Sequence, residues 1–241
     1  MLRAGTGLNM SVPAVVGLRS VCGFVFACTS LLVSAAGTTG SSGAFAECGR
    51  PEAELAGTRS FTASGVPGDP LNVAFHGTER SLLTMMTGSG WDPADAITWR
   101  SALHIAVASL RRRSYPDAPV SGLYVKGRKQ DFAFEQEVGD ATRRHHVRFW
   151  KLDKQDALDR PLWVGAATRD VSIGVSHTSG LPTHHIAPNI DAERDKLADD
   201  LQAAGGVTVE WIDGFQPASE GRNAAGDRFV TDRRLAVICT R

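Results

Sequence analysis

The chain has 241 residues, of which 26 are basic and 26 acidic, so its formal charge is balanced, and 42% of its residues are hydrophobic. This length and hydrophobic fraction suit one globular domain of ordinary size. The balanced charge argues against a general binder of nucleic acid or of anionic membranes, because both classes carry an excess of Lys and Arg. Any cationic function is therefore expected to be local.

The first segment has the pattern of an export signal. Arg3 and Arg19 precede an apolar run at residues 21–36, and a small-residue cleavage pattern follows at residues 44–46. The run is shorter than the about 20 residues that a membrane-spanning helix needs. We therefore predict a signal peptide over residues 1–46 and a periplasmic or secreted mature protein, with a retained membrane anchor as the alternative.

Cleavage after residue 46 would leave two of the four cysteines, Cys48 and Cys239. In an oxidising compartment a single remaining pair predicts a disulfide bond, which would tie the N-terminal arm to the last strand. Closing so long a loop stabilises a protein by up to about 5 kcal/mol when the chain entropy of the unfolded state is considered. The alternative is a buried Cys239 and an unpaired Cys48.

Regular structure is predicted to begin after an N-terminal arm. Residues 47–70 are rich in Gly, Pro, Ser and Thr and show no periodicity, which is typical of a flexible arm. A strand is predicted over residues 71–78, followed by a short helix that ends near Gly88. The pattern then indicates a longer amphipathic helix over residues 92–113.

Beyond residue 121 the pattern changes to strands with short connections, which favours an antiparallel meander. A second helix is predicted after a cap at Asn189 or Asp191, and Gly205 marks its end. Two further strands finish the chain. The predicted class is α+β, a single domain over residues 71–241 with a mainly antiparallel sheet and helices packed on it.

The most unusual predicted strand is RRHHVRFW, residues 143–150, which mixes arginine and histidine with large apolar side chains. A solvated loop is expected after it, at residues 152–161. Successive side chains of a strand point to opposite faces, so we expect His146, Arg148 and Trp150 on one face. The other face then carries the alternate residues, His145, Val147 and Phe149.

Four ordered motifs resemble one known family. They are GRKQDFAFEQ, RRHHVRFW, WVGAATRDVSIGV and THHIAPNIDAERDKL, which lie between residues 127 and 197, and the match covers nearly the whole sequence after residue 71. In this order and spacing the sequence resembles the LssY C-terminal domain family. The resemblance implies a bacterial envelope protein and an association with membrane proteins of the envelope, since the domain often ends larger membrane proteins. It establishes no activity, and it leaves any cofactor unknown.

The charged and histidine-bearing positions of these motifs are the candidate site residues. Arginine offers planar, bidentate donors that suit phosphate and other oxyanions. Histidine next to a carboxylate suits acid–base catalysis, and histidine with aspartate can also ligate a metal. The candidates are Arg128, Arg148, Arg169, Arg194 and Thr168 for ligand binding; His146, Asp170, His184 and Asp131 for catalysis; and His184, His185 and Asp191 for a metal.

The leading functional hypothesis is the binding of a small anionic ligand, such as a phosphorylated or lipid headgroup, through these Arg and His side chains. Trp150 beside Arg148 is a candidate wall of the pocket, although core packing also explains it. The first alternative is a hydrolase acting on a phosphoester or another ester; P-loop, HExxH and GxSxG signatures are missing from the sequence. The second is a structural or interaction module with a buried polar core.

Overall fold

An eight-stranded, mostly antiparallel sheet is the main element of the computed structural model, which describes residues 57–94, 122–138, 140–175 and 182–240. The helix predicted over residues 92–113 lies almost wholly outside these ranges, as do the predicted leader and Cys48. The described residues fall within one compact unit, residues 43–241.

Fourteen strands and two helices are seen in the described residues. The strands are β1 (Arg59–Phe61), β2 (Pro67–Pro70), β3 (Val73–His76), β4 (Asp92–Pro93), β5 (Tyr124–Val125), β6 (Arg128–Lys129), β7 (Phe132–Val138), β8 (Asp140–Gln155), β9 (Pro161–Val175), β10 (Pro182–Ile186), β11 (Val207–Ile212), β12 (Glu220–Arg222), β13 (Arg228–Val230) and β14 (Leu235–Thr240). The helices are α1 (Glu79–Gly88) and α2 (Asp191–Ala204).

The main sheet is organised around the long hairpin β8–β9. Its strand order is β11-β14-β3-β9-β8-β7-β4, and β10 also pairs with β9. The first part of β9 pairs with β3 and its second part with β10, while β8 pairs with it along residues 163–170. All of these pairs are antiparallel except β14 with β3. The predicted sheet-rich fold with antiparallel pairing is thus confirmed.

Side-chain hydrogen bonds mark the start of both helices, and a glycine marks the end of α2. The hydroxyl of Thr78 accepts a hydrogen bond from the backbone N–H of Ser81 at 3.1 Å, which caps the start of α1. The side-chain oxygen of Asn189 accepts from the backbone N–H of Asp191 at 3.1 Å at the start of α2. Gly205, which ends α2, has φ of 82°, a conformation that glycine adopts without strain.

The two faces of the sheet carry different clusters of buried apolar side chains. One cluster combines strand residues such as Val147, Phe149 and Trp163 with residues of both helices. Leu82, Leu83 and Met86 of α1 and Leu197, Ala198 and Leu201 of α2 belong to it. We call this side the helix face. The second cluster contains Trp150, Val164 and Val237 with the hairpin residues Leu123 and Val125, and we call its side the open face.

A small second sheet changes two of the expected boundaries. Its order is β2-β1-β5-β6, so part of the predicted arm at residues 47–70 is paired strand, with Arg59 opposite Pro70. The pairing overrides the loop-like composition because it satisfies backbone groups that would otherwise be buried unpaired. Likewise β8 extends to Gln155, which pairs with Pro161, so the connection expected over residues 152–161 is shorter than predicted.

Candidate functional site

The central strand β8 places its alternate side chains as the sequence predicts. His146 lies opposite Glu135 of β7 and opposite Thr168 of β9. Cross-strand partners project from the same face of a sheet, so these three side chains share the open face. Val147 and Phe149 belong to the cluster on the helix face.

Four side chains on the open face form a chain of alternating carboxylates and imidazoles, which we call the acid–imidazole chain: Glu135, His146, Asp170 and His184. His146 lies between the two acids, with Nε2 3.3 Å from Glu135 Oε2 and Nδ1 3.3 Å from Asp170 Oδ2. His184 Nδ1 is 3.0 Å from the same Asp170 oxygen. Arg144 donates to Glu135 Oε2 at 2.8 Å and closes the inner end of the chain.

Burial and pairing oppose each other in the protonation of this chain. Burial alone lowers the pKa of His146, but the contacts with Asp170 and Glu135 more than compensate and leave this pKa raised. Burial raises the pKa of Asp170, and the contacts from His146 and His184 outweigh it, so its pKa is well below the usual range. The pKa of Glu135 is lowered in the same way by His146 and Arg144 against the effect of burial. Buried opposite charges therefore stabilise one another here.

The acid–imidazole chain is open to solvent at one end. The side chains of His146 and Asp170 are almost fully buried, whereas 34% of the His184 side chain is exposed. His184 Nδ1 is buried and makes no hydrogen bond of acceptable geometry, so its 3.0 Å approach to Asp170 is an ion-pair contact and the exposed surface belongs to the rest of the ring. The arrangement places a solvent-accessible imidazole next to a buried carboxylate, which suits a general acid or base.

Arg148 and Trp150 continue the same row of side chains along β8 and are incompletely paired. Arg148 Nη1 is 3.5 Å from Asp69 Oδ2, and the other oxygen of Asp69 accepts from Asn223 at 3.2 Å. Arg148 Nε and Trp150 Nε1 are buried and have no hydrogen-bond partner among the described residues. Two buried N–H donors without acceptors cost free energy in the folded protein, which marks them as candidates for contact with a ligand or water.

Trp150 lines a small cavity with a basic rim, which we call the basic cavity. Its volume is about 160 Å³. It is lined by Val125, Lys126, Arg128, Trp150, Lys151, Leu152, Asp153 and Lys154. Four of these residues are basic and one is acidic. The cavity is far smaller than the roughly 300–1,000 Å³ of drug-sized ligand sites, so it suits a group the size of phosphate.

The β5–β6 hairpin positions two cations of the basic cavity. Lys126 has φ of 50° and Gly127 has φ of 76°, the two positive values that a tight type I′ hairpin turn requires. Arg128 follows and is ion-paired with Asp131, while its Nη1 lies 3.4 Å from the carbonyl of Lys151. The predicted residues Arg128 and Asp131 are thus neighbours of the basic cavity, separate from the acid–imidazole chain.

A second hollow lies at the β8–β9 turn and has a different character. Its volume is about 510 Å³, and its lining includes Asp153, Asp156 and Asp159. Asp156 is held by Arg160 at 2.6 Å and by His76 at 3.0 Å. Three carboxylates in the lining make this hollow a poorer site for an anion than the basic cavity.

Arg194 and Asp191, two other predicted site residues, belong to a buried ion cluster at the start of α2. The Arg194 guanidinium contacts both oxygens of Asp232 at 2.7 and 3.0 Å, and it also contacts Asp191 at 3.1 Å and Asp195 at 2.7 Å. Its carbon Cζ lies 4.9 Å from the centre of the Trp211 ring. The side chain is fully buried, so its donors are committed to the protein and its role in this structure is to hold α2 to the C-terminal segment.

The remaining predicted residues are distributed over other places. Thr168 is buried on the open face, opposite His146 of β8. Arg169 lies on the helix face, where it is opposite His145, and His145 Nδ1 is 2.6 Å from Glu193 of α2. His185 Nδ1 is 2.7 Å from Asp227. The sequence candidates therefore do not converge on a single site.

The three weak metal candidates each have a different carboxylate or cation as partner. His184 contacts Asp170, His185 contacts Asp227, and Asp191 contacts Arg194. Among the residues that the structure describes, no group of three or more His, Cys, Asp or Glu is arranged to hold a metal ion.

Three participants were not identified from the sequence. Glu135 reads as an ordinary polar residue of an alternating strand, and its role depends on its position opposite His146. Asp69 lies in the segment interpreted as an arm. Lys126 precedes Gly127 in a dipeptide that signals a turn, and this signal could have placed it beside Arg128.

The described residues form a sheet-rich fold with antiparallel pairing, whose open face carries a chain of acids and imidazoles at ion-pair distances. The chain belongs to the LssY C-terminus family, whose family model matches residues 54–235. A search of curated proteins found no match, and neither did a search of solved structures. No helix within the described ranges is long and apolar enough to cross a membrane.

Proposed function

We propose that this domain binds a small anionic ligand, with a phosphate or similar oxyanion group seated in the basic cavity. The observation that carries the proposal is the basic cavity itself, whose lining combines Lys126, Arg128 and Lys154 with Trp150, a residue whose buried Nε1 donor has no acceptor among the described residues. An oxyanion supplies both a negative charge and acceptor oxygens, so it complements the rim and the indole together.

Charge and size both favour an oxyanion over other ligands. Lys126, Arg128 and Lys154 contribute positive charge, and only Asp153 of the lining opposes them. Lys151 directs its ammonium elsewhere, 5.9 Å from the centre of the Trp163 ring on the helix face. Arg128 uses only part of its five N–H donors on Asp131 and the Lys151 carbonyl, so donors remain for a ligand.

The predicted anion site is therefore assigned to the Arg128 end of the sheet, away from His146 and His184. The acid–imidazole chain contains two carboxylates whose pKa values are lowered, and these would repel an anion. We propose an envelope location for this binding activity, with a phosphorylated headgroup or a free phosphate compound as the ligand class.

Isothermal titration calorimetry with inorganic phosphate, glycerol 3-phosphate and glycerol tests the proposal. Binding of the two phosphate compounds and not of glycerol is expected. Arg128→Gln should weaken binding at least tenfold, whereas Lys129→Gln should leave it unchanged, because Lys129 is the adjacent exposed cation of β6 and is not part of the lining. Equal loss in both variants, or binding of glycerol, would contradict the assignment.

Thermal unfolding offers an independent readout of the same site. A ligand present at about 100 times its Kd stabilises the folded state by about 2.7 kcal/mol. For a domain of this size that corresponds to a rise of about 5–10 °C in the unfolding midpoint. The rise should be lost in Arg128→Gln and retained in Lys129→Gln.

A further inference from the structure

The exposed His184 is next to an exposed apolar strip of β9. Val171, Ile173 and Val175 are among the exposed large hydrophobic residues, and Ile173 is 57% exposed. Ile173 lies directly opposite His184 in the antiparallel β9–β10 ladder. Cross-strand partners project from one face, so the imidazole and the isoleucine side chain are neighbours at the surface.

The remainder of the strip follows from the alternation of the strand. Val175 is two residues from Ile173 and shares its face, because side chains alternate along a strand. Val171 lies at the register shift of the β9–β10 ladder, between the partners of His185 and Ile186, where this alternation is interrupted. Ile173 and Val175 thus form a short apolar row along β9, and His184 stands beside Ile173. A row of exposed β-branched residues beside a histidine provides an apolar contact surface at a polar reactive group.

His184 is positioned for proton transfer. Its Nδ1 is held 3.0 Å from Asp170 Oδ2, and Asp170 is itself buried and held by His146 at 3.3 Å. Nε2 of His184 has no hydrogen-bond partner among the described residues. A carboxylate oxygen 3.0 Å from Nδ1 favours a proton on that nitrogen, although the two atoms do not have hydrogen-bond geometry, and Nε2 is then the nitrogen available to accept a proton.

We infer that His184, positioned by Asp170, is the general base of a second site that hydrolyses uncharged carboxylic esters whose apolar acyl part lies on Ile173 and Val175. The carboxylates Asp170 and Glu135 disfavour an anionic substrate at this place, and the apolar row favours an aliphatic one. This site does not depend on the anion binding proposed above.

The reaction is balanced with water as the only co-substrate. Nε2 of His184 takes a proton from water while the water oxygen bonds to the ester carbonyl carbon, whose carbonyl electrons move to oxygen. The tetrahedral intermediate then re-forms the carbonyl and expels the alkoxide, and the imidazolium returns its proton to that alkoxide. A carboxylic acid and an alcohol are released, and His184 is again neutral.

Hydrolysis of p-nitrophenyl acetate and p-nitrophenyl butyrate by the whole chain tests the inference. The rate is expected to exceed that of free imidazole at seven times the protein concentration, which matches the protein's seven histidines. His184→Gln should lower kcat/KM at least a hundredfold, within the range of about 10²–10⁴ for loss of a general base. His185→Gln is the matched control, because His185 is the adjacent histidine and is bound to a different acid, Asp227.

The apolar contact is tested by Ile173→Thr. This variant should raise KM for the butyrate several-fold more than KM for the acetate and should leave kcat nearly unchanged. The thermal unfolding midpoint of each variant is measured to verify that it folds. Absence of activity above the imidazole rate, or an equal loss in the His184→Gln and His185→Gln variants, would overturn the inference.

Discussion

Replacement of Arg194 by methionine removes the charge from the centre of a buried ion cluster while keeping most of the aliphatic stem. The guanidinium is fully buried and has three carboxylate partners, of which Asp232 is bound through both oxygens. Removing one partner of a buried ion pair typically costs about 3–5 kcal/mol, because the remaining charges lose their compensation. The variant is therefore expected to be strongly destabilised.

The exposure of the partners indicates which end of that range applies. The side chains of Asp195 and Asp232 are 45% and 35% exposed, so water can rehydrate them after the arginine is lost. We therefore expect a loss of about 3 kcal/mol in the free energy of unfolding for Arg194→Met, the lower end of the range. For a domain of this size this corresponds to a fall of about 6–12 °C in the unfolding midpoint.

Arg234 provides a matched control within the same cluster. It also donates to Asp232, at 2.7 Å, and its Cζ lies 4.7 Å from the centre of the same Trp211 ring that Arg194 contacts. The difference is burial, because the Arg234 side chain is 38% exposed. Exposed ion pairs contribute about 0–1 kcal/mol, so Arg234→Met should cost at most about 1 kcal/mol.

Urea unfolding followed by circular dichroism measures both variants. The midpoint should fall much further for Arg194→Met than for Arg234→Met, with the slope m unchanged. In addition, the hydrogen bond from Arg194 holds the pKa of Asp232 below its usual range, so this pKa should rise in Arg194→Met. Losses that agree within about 0.5 kcal/mol for the two variants would refute the burial reasoning.

Three further predictions concern packing, pH and the N-terminal segment. Gly165→Ala should lower the free energy of unfolding by about 1–3 kcal/mol, because a Cβ there would lie 2.6 Å from a neighbouring side chain. Gly88→Ala is the control and should not destabilise, because a Cβ there would have nothing within 4 Å. Urea unfolding measures the free energy of unfolding of both variants. Because the pKa of His146 is raised in the folded protein, protonation of His146 stabilises the fold below about pH 6.5, and this stabilisation is lost as pH rises through the folded pKa. The loss of unfolding free energy caused by His146→Gln should therefore be larger at pH 5.5 than at pH 8.5. A deficit that grows with pH would contradict this. Mass spectrometry of protein exported by a bacterial host should find an N-terminus at residue 47 and a Cys48–Cys239 peptide pair, and recovery of both thiols free would exclude the disulfide.

The face of each β8 residue could be predicted from the sequence, but its partners could not. Alternation alone separates His146 from His145. The pairing of His146 with Glu135 depends on the register of β7 against β8, which shifts between Glu137 and Val138. A one-residue slip would have placed the carboxylate on the other face, and nothing local in the sequence fixes that register.

Long-range contacts also decided which candidate residues carry the site. Asp131 was a candidate partner for histidine, but it pairs with Arg128, three residues away. Arg194 was a candidate anion ligand, and the approach of Asp232 from the C-terminal segment occupies its donors. In both positions the tertiary fold supplies a partner within the protein, which residue type alone could not identify.

The segment before residue 71 shows a different limit of sequence reasoning. Its Gly and Pro content predicted an arm, yet β1 and β2 form a paired edge in which the Ser60 hydroxyl donates to the carbonyl of Asp69 at 2.9 Å. Short strands of three or four residues carry too few side chains for alternation to be visible. The cation at Arg148 finds its acid partner in this segment.

The indole N–H signal of Trp150 in a ¹⁵N-correlated NMR spectrum tests the central claim most directly. Two other tryptophans already donate to the protein, Trp91 to Asp200 and Trp163 to the carbonyl of Gly77, each at 2.9 Å. Titration with inorganic phosphate should shift the Trp150 signal, assigned by its loss in Trp150→Phe, and should leave those two unmoved. A Trp150 signal that stays fixed while phosphate binds would show that the anion is held elsewhere, and would contradict the basic cavity as the ligand site.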